Sequence, residues 1–308
     1  MDCVAQYTAC VQPLGPYDLA DQSQYFGGWP TLEQHPQTLV LAFPVEGWQG
    51  SAAVAVSQAS DGAVQLVAHG DAPADQAVAQ ALAVLSLDVD ATGWPDVGGR
   101  DQVLGDLQRR YRFVRPVLFP TPYEAAAHFV LGHRRSTAQA RRLRTALADS
   151  HGDPVNIGGQ VFHAFPRPQV LAKVAAFPGV EAPRLERLRA IAAAALDGTL
   201  DRGRLRALEE EEALAELRQL PGIGDFFAQG ILHRGAGSTD AITRDELSLH
   251  AIRTAYDLSD ATPPAQVLEI GERWRPFRMW ATVLLHIDMR RSGALPAQKR
   301  PSGPTRFR

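Results

Sequence analysis

Two glycines one residue apart carry the first hint of chemistry in this 308-residue chain. They lie in Leu220-Pro221-Gly222-Ile223-Gly224, followed directly by Asp225. Leu214, Leu217 and Leu220 stand at helical spacing up to the turn, and Phe227, Ala228, Ile231 and Leu232 give an apolar face after it. Pro221 ends the first helix, and the glycines permit a tight turn. A turn without side-chain bulk at a helix start lets backbone N–H groups approach a phosphate closely, and the helix dipole favours the anion. Such a grip holds a nucleic-acid backbone without reading its sequence. A Pro-Gly-x-Gly turn also serves as an ordinary helix C-cap, so the surrounding chain has to decide between the two.

Charge and composition bear on that choice. Residues 1–112 carry 4 basic and 13 acidic side chains, and residues 113–308 carry 27 and 21, so the net charge of −3 divides into −9 and +6. The second part is the one able to sit on a polyanion. The length suggests two or three domains, and 45% hydrophobic residues suffice for a core. Apolar runs are too short to span a bilayer, and residues 1–30 lack a basic start followed by an apolar stretch, the pattern of a signal peptide. Cys3 and Cys10, with no His or Cys neighbours, argue against a metal or disulfide framework and fit a reducing cytoplasm.

The elements that must position the turn can be read coarsely. Residues 1–112 read as mixed α/β, with short strands at 38–43, 51–56 and 64–68 punctuated by glycines, although apolar/polar alternation is weak. Residues 75–87 read as a helix, and Pro16-Tyr-Asp-Leu19 as a strand leading into a short helix at 23–29. Residues 113–291 read as almost all helix, with segments at 123–131, from Ser136 or Thr137 onward, 165–174, 184–196, 205–219, 245–256 and 267–289. Glu209 to Glu212 reads as a solvated helix face. Residues 292–308, rich in Pro, Gly, Ser, Arg and Lys, read as a disordered basic tail.

Several motifs now fall in order. Pro16-Tyr-Asp-Leu19, Val130-Leu-Gly-His133 with Ser136, Leu196-Asp-Gly-Thr-Leu200, the hairpin, Arg234-Gly235 with Asp240, and Arg273-Trp-Arg-Pro-Phe-Arg278 together resemble the AlkA-type alkylated-base DNA glycosylases (3-methyladenine DNA glycosylase II) of the helix-hairpin-helix superfamily. The resemblance covers nearly the whole chain. It implies an α+β protein: an N-terminal TATA-binding-protein-like α/β domain over 1–112, an all-helical helix-hairpin-helix glycosylase domain over 113–291 with the active site at the hairpin, and the tail over 292–308. It also implies that no cofactor is required, beyond a Na⁺ or K⁺ held by backbone carbonyls of Arg218, Leu220 and Ile223.

Breaking an N-glycosidic bond builds positive charge on the sugar, and a carboxylate beside the anomeric carbon stabilises it and can position water. The resemblance places an Asp just beyond the hairpin. Ungapped counting from Gly224 sets Glu246 there and Asp245 before it, and the spacing to Leu249 favours Glu246 facing the cleft with Asp245 turned away. Glu reaches one methylene further than Asp, and Thr243-Arg-Asp-Glu246 also fits a capping box with Thr243 as N-cap. Glu246, Asp245 or neither can therefore be catalytic. Where bifunctional relatives carry a nucleophilic lysine stands Phe226, which suits monofunctional hydrolysis without lyase activity and can face a cationic methylated base. Plain core packing is the alternative for Phe226. Arg134 occupies the wedge position, apolar in the nearest relatives, that fills the gap left by a flipped nucleotide. His286 stands where a second pocket tryptophan is expected.

The expected function is thus base-excision repair: flipping and hydrolytic release of alkylated purines of the 3-methyladenine class from double-stranded DNA. The protein is expected to be a cytoplasmic monomer working with the nucleoid and without a membrane. His133, Arg134, Arg135, Gly222, Ile223, Gly224 and Asp225 are the expected DNA contacts, and Phe226 and His286 the expected base pocket. The departures at Glu246, Arg134 and His286 support an alternative, a catalytically impaired DNA-binding paralogue that recognises damaged or abasic DNA.

Overall fold

The computed structural model describes residues 7–25 and 30–294. The chain opens with β1 (Tyr7–Val11), α1 (Leu19–Ser23), β2 (Thr31–Leu32), β3 (His35–Pro44), β4 (Ser51–Gln58), β5 (Val64–Gly70) and α2 (Ala74–Val84). The five strands form one antiparallel sheet in the order β1-β5-β4-β3-β2. Leu39, Leu41, Phe43, Val54, Val56 and Leu66 point to one face, which α2 covers with Ala77, Ala81 and Val84. Val40, Ala53 and Ala55 point to the other. That second face is covered too, by a hairpin of β6 (Pro154–Ile157) and β7 (Gln160–His163) through Val155, Ile157 and Phe162. A sheet buried on both faces has no polar side to alternate with, which accounts for the weak alternation in its sequence.

That hairpin corrects the expectation of an all-helical second region. Gly158 (φ +60°) and Gly159 (φ +92°) form its two-residue turn, and positive φ at both central positions is what such turns require. The Gly-Gly pair between alternating apolar residues was the available signal. Pro16 to Asp18 form no strand; Asp18 N-caps α1, whose short helix therefore precedes the expected 23–29, most of which lies outside the described residues.

The remaining elements are α3 (Trp94–Arg100), α4 (Gln102–Arg110), α5 (Pro122–Gly132), α6 (Thr137–His151), α7 (Pro168–Leu171), α8 (Ala182–Leu196), α9 (Arg202–Ala207), α10 (Glu210–Leu217), α11 (Asp225–Gly230) running into a π-helical turn (Ile231–Ala236), α12 (Glu246–Ala255), α13 (Pro264–Glu269) with a 3₁₀ turn (Ile270–Trp274), and α14 (Arg278–Ser292). Thr121 caps α5, and Ser136 with Gln139 makes a capping box on α6. The expected helix at 165–174 shrinks to α7, and that at 205–219 breaks at Leu208 into α9 and α10. One helical core gathers α5, α8, α10 and α11 around Leu131, Leu188, Leu217 and Ile231. The other joins α3 and α4 to α12 and α14 around Trp94, Leu104, Trp274 and Trp280, so α3 and α4 pack with the C-terminal helices rather than under the sheet. None of the helices among the described residues is long and apolar enough to cross a membrane, and the tail from residue 295 lies outside them.

Arg115 pins these bodies together. It is fully buried and donates from Nε to Pro16 O (3.0 Å), from Nη1 to Ser86 O (3.0 Å) and from Nη2 to Leu14 O (2.7 Å). Its guanidinium lies over the rings of Tyr17 and Trp280. Burial lowers its pKa to about 10, so it stays charged. Arg115→Met keeps volume but orphans the Pro16 and Ser86 carbonyls, while Leu14 O keeps the Ala91 amide. At roughly 1–3 kcal/mol per buried unsatisfied group, tempered where water reaches in, it is expected to cost about 2–4 kcal/mol in chemical denaturation.

Candidate active site at the hairpin

The turn between α10 and α11 is built as its glycines suggest. Arg218 caps α10, and the Leu220 carbonyl accepts the Ile223 amide at 3.0 Å. Gly222 sits at φ +84°, a conformation L side chains rarely adopt, and a Cβ there would also meet Arg187 Cδ at 2.7 Å. Gly224 N-caps α11 with extended backbone, and a Cβ on it would meet nothing within 4 Å. Gly222 is thus demanded by the fold, while the space beside Gly224 is open. Ile223 is buried, and the exposed Asp225 pairs with Arg218 at 2.9 Å.

A cationic collar surrounds this turn. Arg134 is exposed with φ +56° at the C-terminal end of α5, a left-handed conformation that a non-glycine residue holds at a cost. Arg184 donates from one nitrogen to the carbonyls of Val130, Leu131 and His133, satisfying the end of α5. Arg135 is turned to Gly179 O and Glu181, so it braces the loop instead of standing free. Desolvation first, then Arg134, Arg184 and Arg187, lower the pKa of His133. Arg184 and Arg187, three apart on α8, gave no signal in the sequence because they lie well before the hairpin in an otherwise ordinary helix.

Beside the turn, six rings form a continuous array. Phe227 stacks on Phe129 at 5.2 Å and meets His133 edge-on at 5.8 Å. Phe226 lies 6.3 Å from Phe129 and 5.7 Å from Phe227, and His128 and Phe119 continue the array. Phe226 is 55% exposed, which sets aside the core-packing alternative and leaves its face open to a flat ligand. Gly230 is required because any Cβ there would strike the Phe129 ring.

Of the two carboxylates past the hairpin, Asp245 is half-buried at the start of α12 and Glu246 is exposed. Asp245, not Thr243, is the N-cap of α12 (φ −80°, ψ 159°), so the helix begins at Glu246 and the expected capping box is absent. Asp245 Oδ1 accepts the amides of Leu247 (2.9 Å) and Ser248 (3.1 Å), and Oδ2 accepts the Ser248 hydroxyl (2.7 Å). The Ser248 hydroxyl touches Thr243 Oγ1 at 2.7 Å and His286 Nε2 at 3.1 Å. Glu246 is exposed on the first turn of α12. The helix starting later than a capping box requires is the physical reason: an N-cap carboxylate folds back onto the helix end, whereas the next residue projects outward. His286, expected in the base pocket, is spoken for by this network; burial lowers its pKa to about 4, keeping it neutral near pH 7. Arg273 to Arg278 form a separate brace in which Asp240 holds Arg275 and Arg278 and the Trp274 indole donates to Asp101.

A groove of about 590 Å³ opens elsewhere, between His35, His69 and the Gly158-Gly159 turn, and none of the sequence-predicted residues lines it. Among the described residues no group of three or more His, Cys, Asp or Glu side chains could hold a metal ion.

No protein-family model matches the chain. It is 25% identical over 204 residues to the DNA-3-methyladenine glycosylase of Bacillus subtilis, covering 65% of this chain and 67% of that protein. It is 32% identical over 171 residues to DNA-3-methyladenine glycosylase 2 of Escherichia coli, covering 54% and 56%; the matched region thus spans only a little over half of that relative. In fold it matches the 3-methyladenine DNA-glycosylase structure from Archaeoglobus fulgidus with a TM-score of 0.74, 20% identity, and coverage of 92% of this chain and 98% of that one.

The split between the two glycines is testable. Gly222→Ala is expected to lose about 1–2 kcal/mol from the left-handed backbone alone. Gly224→Ala should leave the melting temperature unchanged yet weaken binding to duplex DNA of any sequence, measured by fluorescence anisotropy. Equal affinity of Gly224→Ala and wild type for DNA would remove the turn from the interface.

Proposed function

We propose that this chain, a homologue of AlkA-type DNA glycosylases in sequence and in fold, is a monofunctional alkylpurine DNA glycosylase that works as a monomer on double-stranded DNA, in the cytoplasm with the nucleoid. The observation that carries the reading is the Asp245 carboxylate, held by three donors on the N-cap of α12 in the segment that follows the glycine turn. The Gly222 and Gly224 amides and the collar of Arg134 and Arg187 grip the backbone around a lesion. Arg134 enters the gap left by the flipped nucleotide, where its guanidinium can stack on the neighbouring bases and reach phosphate. Phe226 offers its open face to the extruded base, and a cationic methylated purine is drawn to that face. Asp245 offsets the positive charge that develops on the sugar as the base leaves. Lys173, the only lysine among the described residues, lies beside Gln169 and His151, outside the ring array and the turn, in keeping with hydrolysis without a Schiff base. A Na⁺ or K⁺ on the carbonyls of Arg218, Leu220 and Ile223 belongs to this reading as a bridge between the turn and a phosphate. The Leu220 carbonyl, accepting one amide, keeps a lone pair for it.

The decisive experiment is incubation with methylated duplex DNA and chromatography of the released bases. Wild type is expected to release methylated purine and leave an abasic site uncleaved. Asp245→Asn should slow release by roughly a hundredfold or more, the usual scale for removing a preorganised charge-stabilising group, while Glu246→Gln keeps the wild-type rate. The roles of the two acids are reversed if Glu246→Gln is the change that removes release and Asp245→Asn keeps it. Tight binding to abasic DNA with no release by wild type would favour the DNA-binding paralogue.

A further inference from the structure

Resting on the glycosylase reading, we propose that Ser248 and His286 are positioning residues. They hold Asp245 as an aimed, ionised carboxylate, with His286 in its Nε2–H tautomer. The number of protons available decides the arrangement. The Ser248 hydroxyl has one proton and three polar neighbours: Asp245 Oδ2 at 2.7 Å, Thr243 Oγ1 at 2.7 Å and His286 Nε2 at 3.1 Å. An ionised carboxylate can only accept, so the Ser248 proton goes to Asp245. The Ser248 oxygen then accepts twice, from the Thr243 hydroxyl and from His286 Nε2–H, and every lone pair and proton at that oxygen is used. The other tautomer would present Nε2 as a competing acceptor and draw the Ser248 proton away from Asp245.

Both ends of the chain of hydrogen bonds are anchored. Asp245 Oδ1 is fixed by two amides of α12, and Ser248 is fully buried on that helix. His286 comes from the facing helix α14, whose packing against α12 runs through Leu249, Ile252 and Leu285. The charged groups facing the imidazole are Asp245 from the N-cap of α12, Arg234 from the π-helical turn and Arg290 one turn along α14. Burial outweighs the pull of Asp245 toward the charged ring, Arg290 and Arg234 act with burial, and the ring stays neutral, so its tautomer and not its charge decides where the Ser248 proton lies. Without the Ser248–His286 pair, Oδ2 loses its donor and the carboxylate can swing about the Oδ1 anchor. A displacement near 1 Å costs roughly a hundredfold in rate.

Two measurements on the full chain test the proposal. Nitrogen NMR shifts of His286 are expected to show a neutral ring protonated on Nε2 from about pH 5.5 upward; protonation on Nδ1 alone would overturn it. In single-turnover release from methylated duplex, Ser248→Ala and His286→Phe are expected to slow excision about 10- to 100-fold. His286→Asn, which still offers an N–H, should restore most of the rate, and affinity for abasic DNA should not change. A Ser248→Ala enzyme with the wild-type rate overturns the proposal. Absence of base release from wild type would instead defeat the glycosylase reading, and the NMR measurement would still decide the network.

Discussion

The structure depends on a buried stretch of backbone, residues 114–120, whose polar groups must be satisfied away from water. Val114 and Leu118 belong to the core around α14, Val117 to the core under the sheet, and Phe119 packs on the core of the hairpin helices. The stretch therefore runs through all three. Regular secondary structure does not pair it, and buried unpaired carbonyls are expensive. Arginines supply the donors. Arg234 donates to Val117 O at 2.6 Å and its own carbonyl takes the Phe119 amide; Arg202 donates to Phe119 O and Pro120 O. Arg115, within the stretch, reaches out to the N-terminal segment. Because Arg234 lies on the π-helical continuation of α11, the hairpin inherits its position from this central strand of chain.

The same habit explains why charge counted along the chain overstates the charge at the surface. Arg184, Arg189, Arg206 and Arg253 also donate to main-chain carbonyls. A planar guanidinium with five donors can satisfy several carbonyls at once, which a lysine ammonium does less readily. The excess of +6 over residues 113–308 is thus partly internal scaffolding, and of the exposed arginines near the hairpin Arg218 and Arg244 are paired with Asp225 and Glu211, which leaves Arg134. Electrostatic attraction to a polyanion follows surface charge, not sequence charge.

The glycine turn, the flanking helices and the three main strands were legible because each rests on local chemistry: φ that only glycine takes easily, helical spacing, and runs of apolar residues. The β6–β7 hairpin was hidden by a helical neighbourhood, though its Gly158-Gly159 turn was in plain view. Arg184, Arg187, Phe129 and Ser248 were illegible for a different reason. Their types are ordinary, and only packing brings them to the site. The carboxylates show how fine the limit is. Spacing singled out the pair but not the first residue of α12, and an offset of a residue or two at a helix start exchanges the side chain that caps the helix for the one that projects outward. Helix boundaries are where sequence patterns carry least information.

That exchange also bears on the chemistry. Three donors hold the Asp245 carboxylate in one place at the end of α12. A base that must be protonated before it can leave would call for an acid beside it. The nearest titratable ring, His286, is neutral and directs its proton into the Ser248 network, so it is a poor acid. A methylated purine already carries the positive charge that makes it a good leaving group, and needs only stabilisation of the sugar left behind. A preorganised anion with no proton to give is suited to that step and to few others. The hydrogen bonding around Asp245 therefore fits the alkylated-purine substrate proposed above.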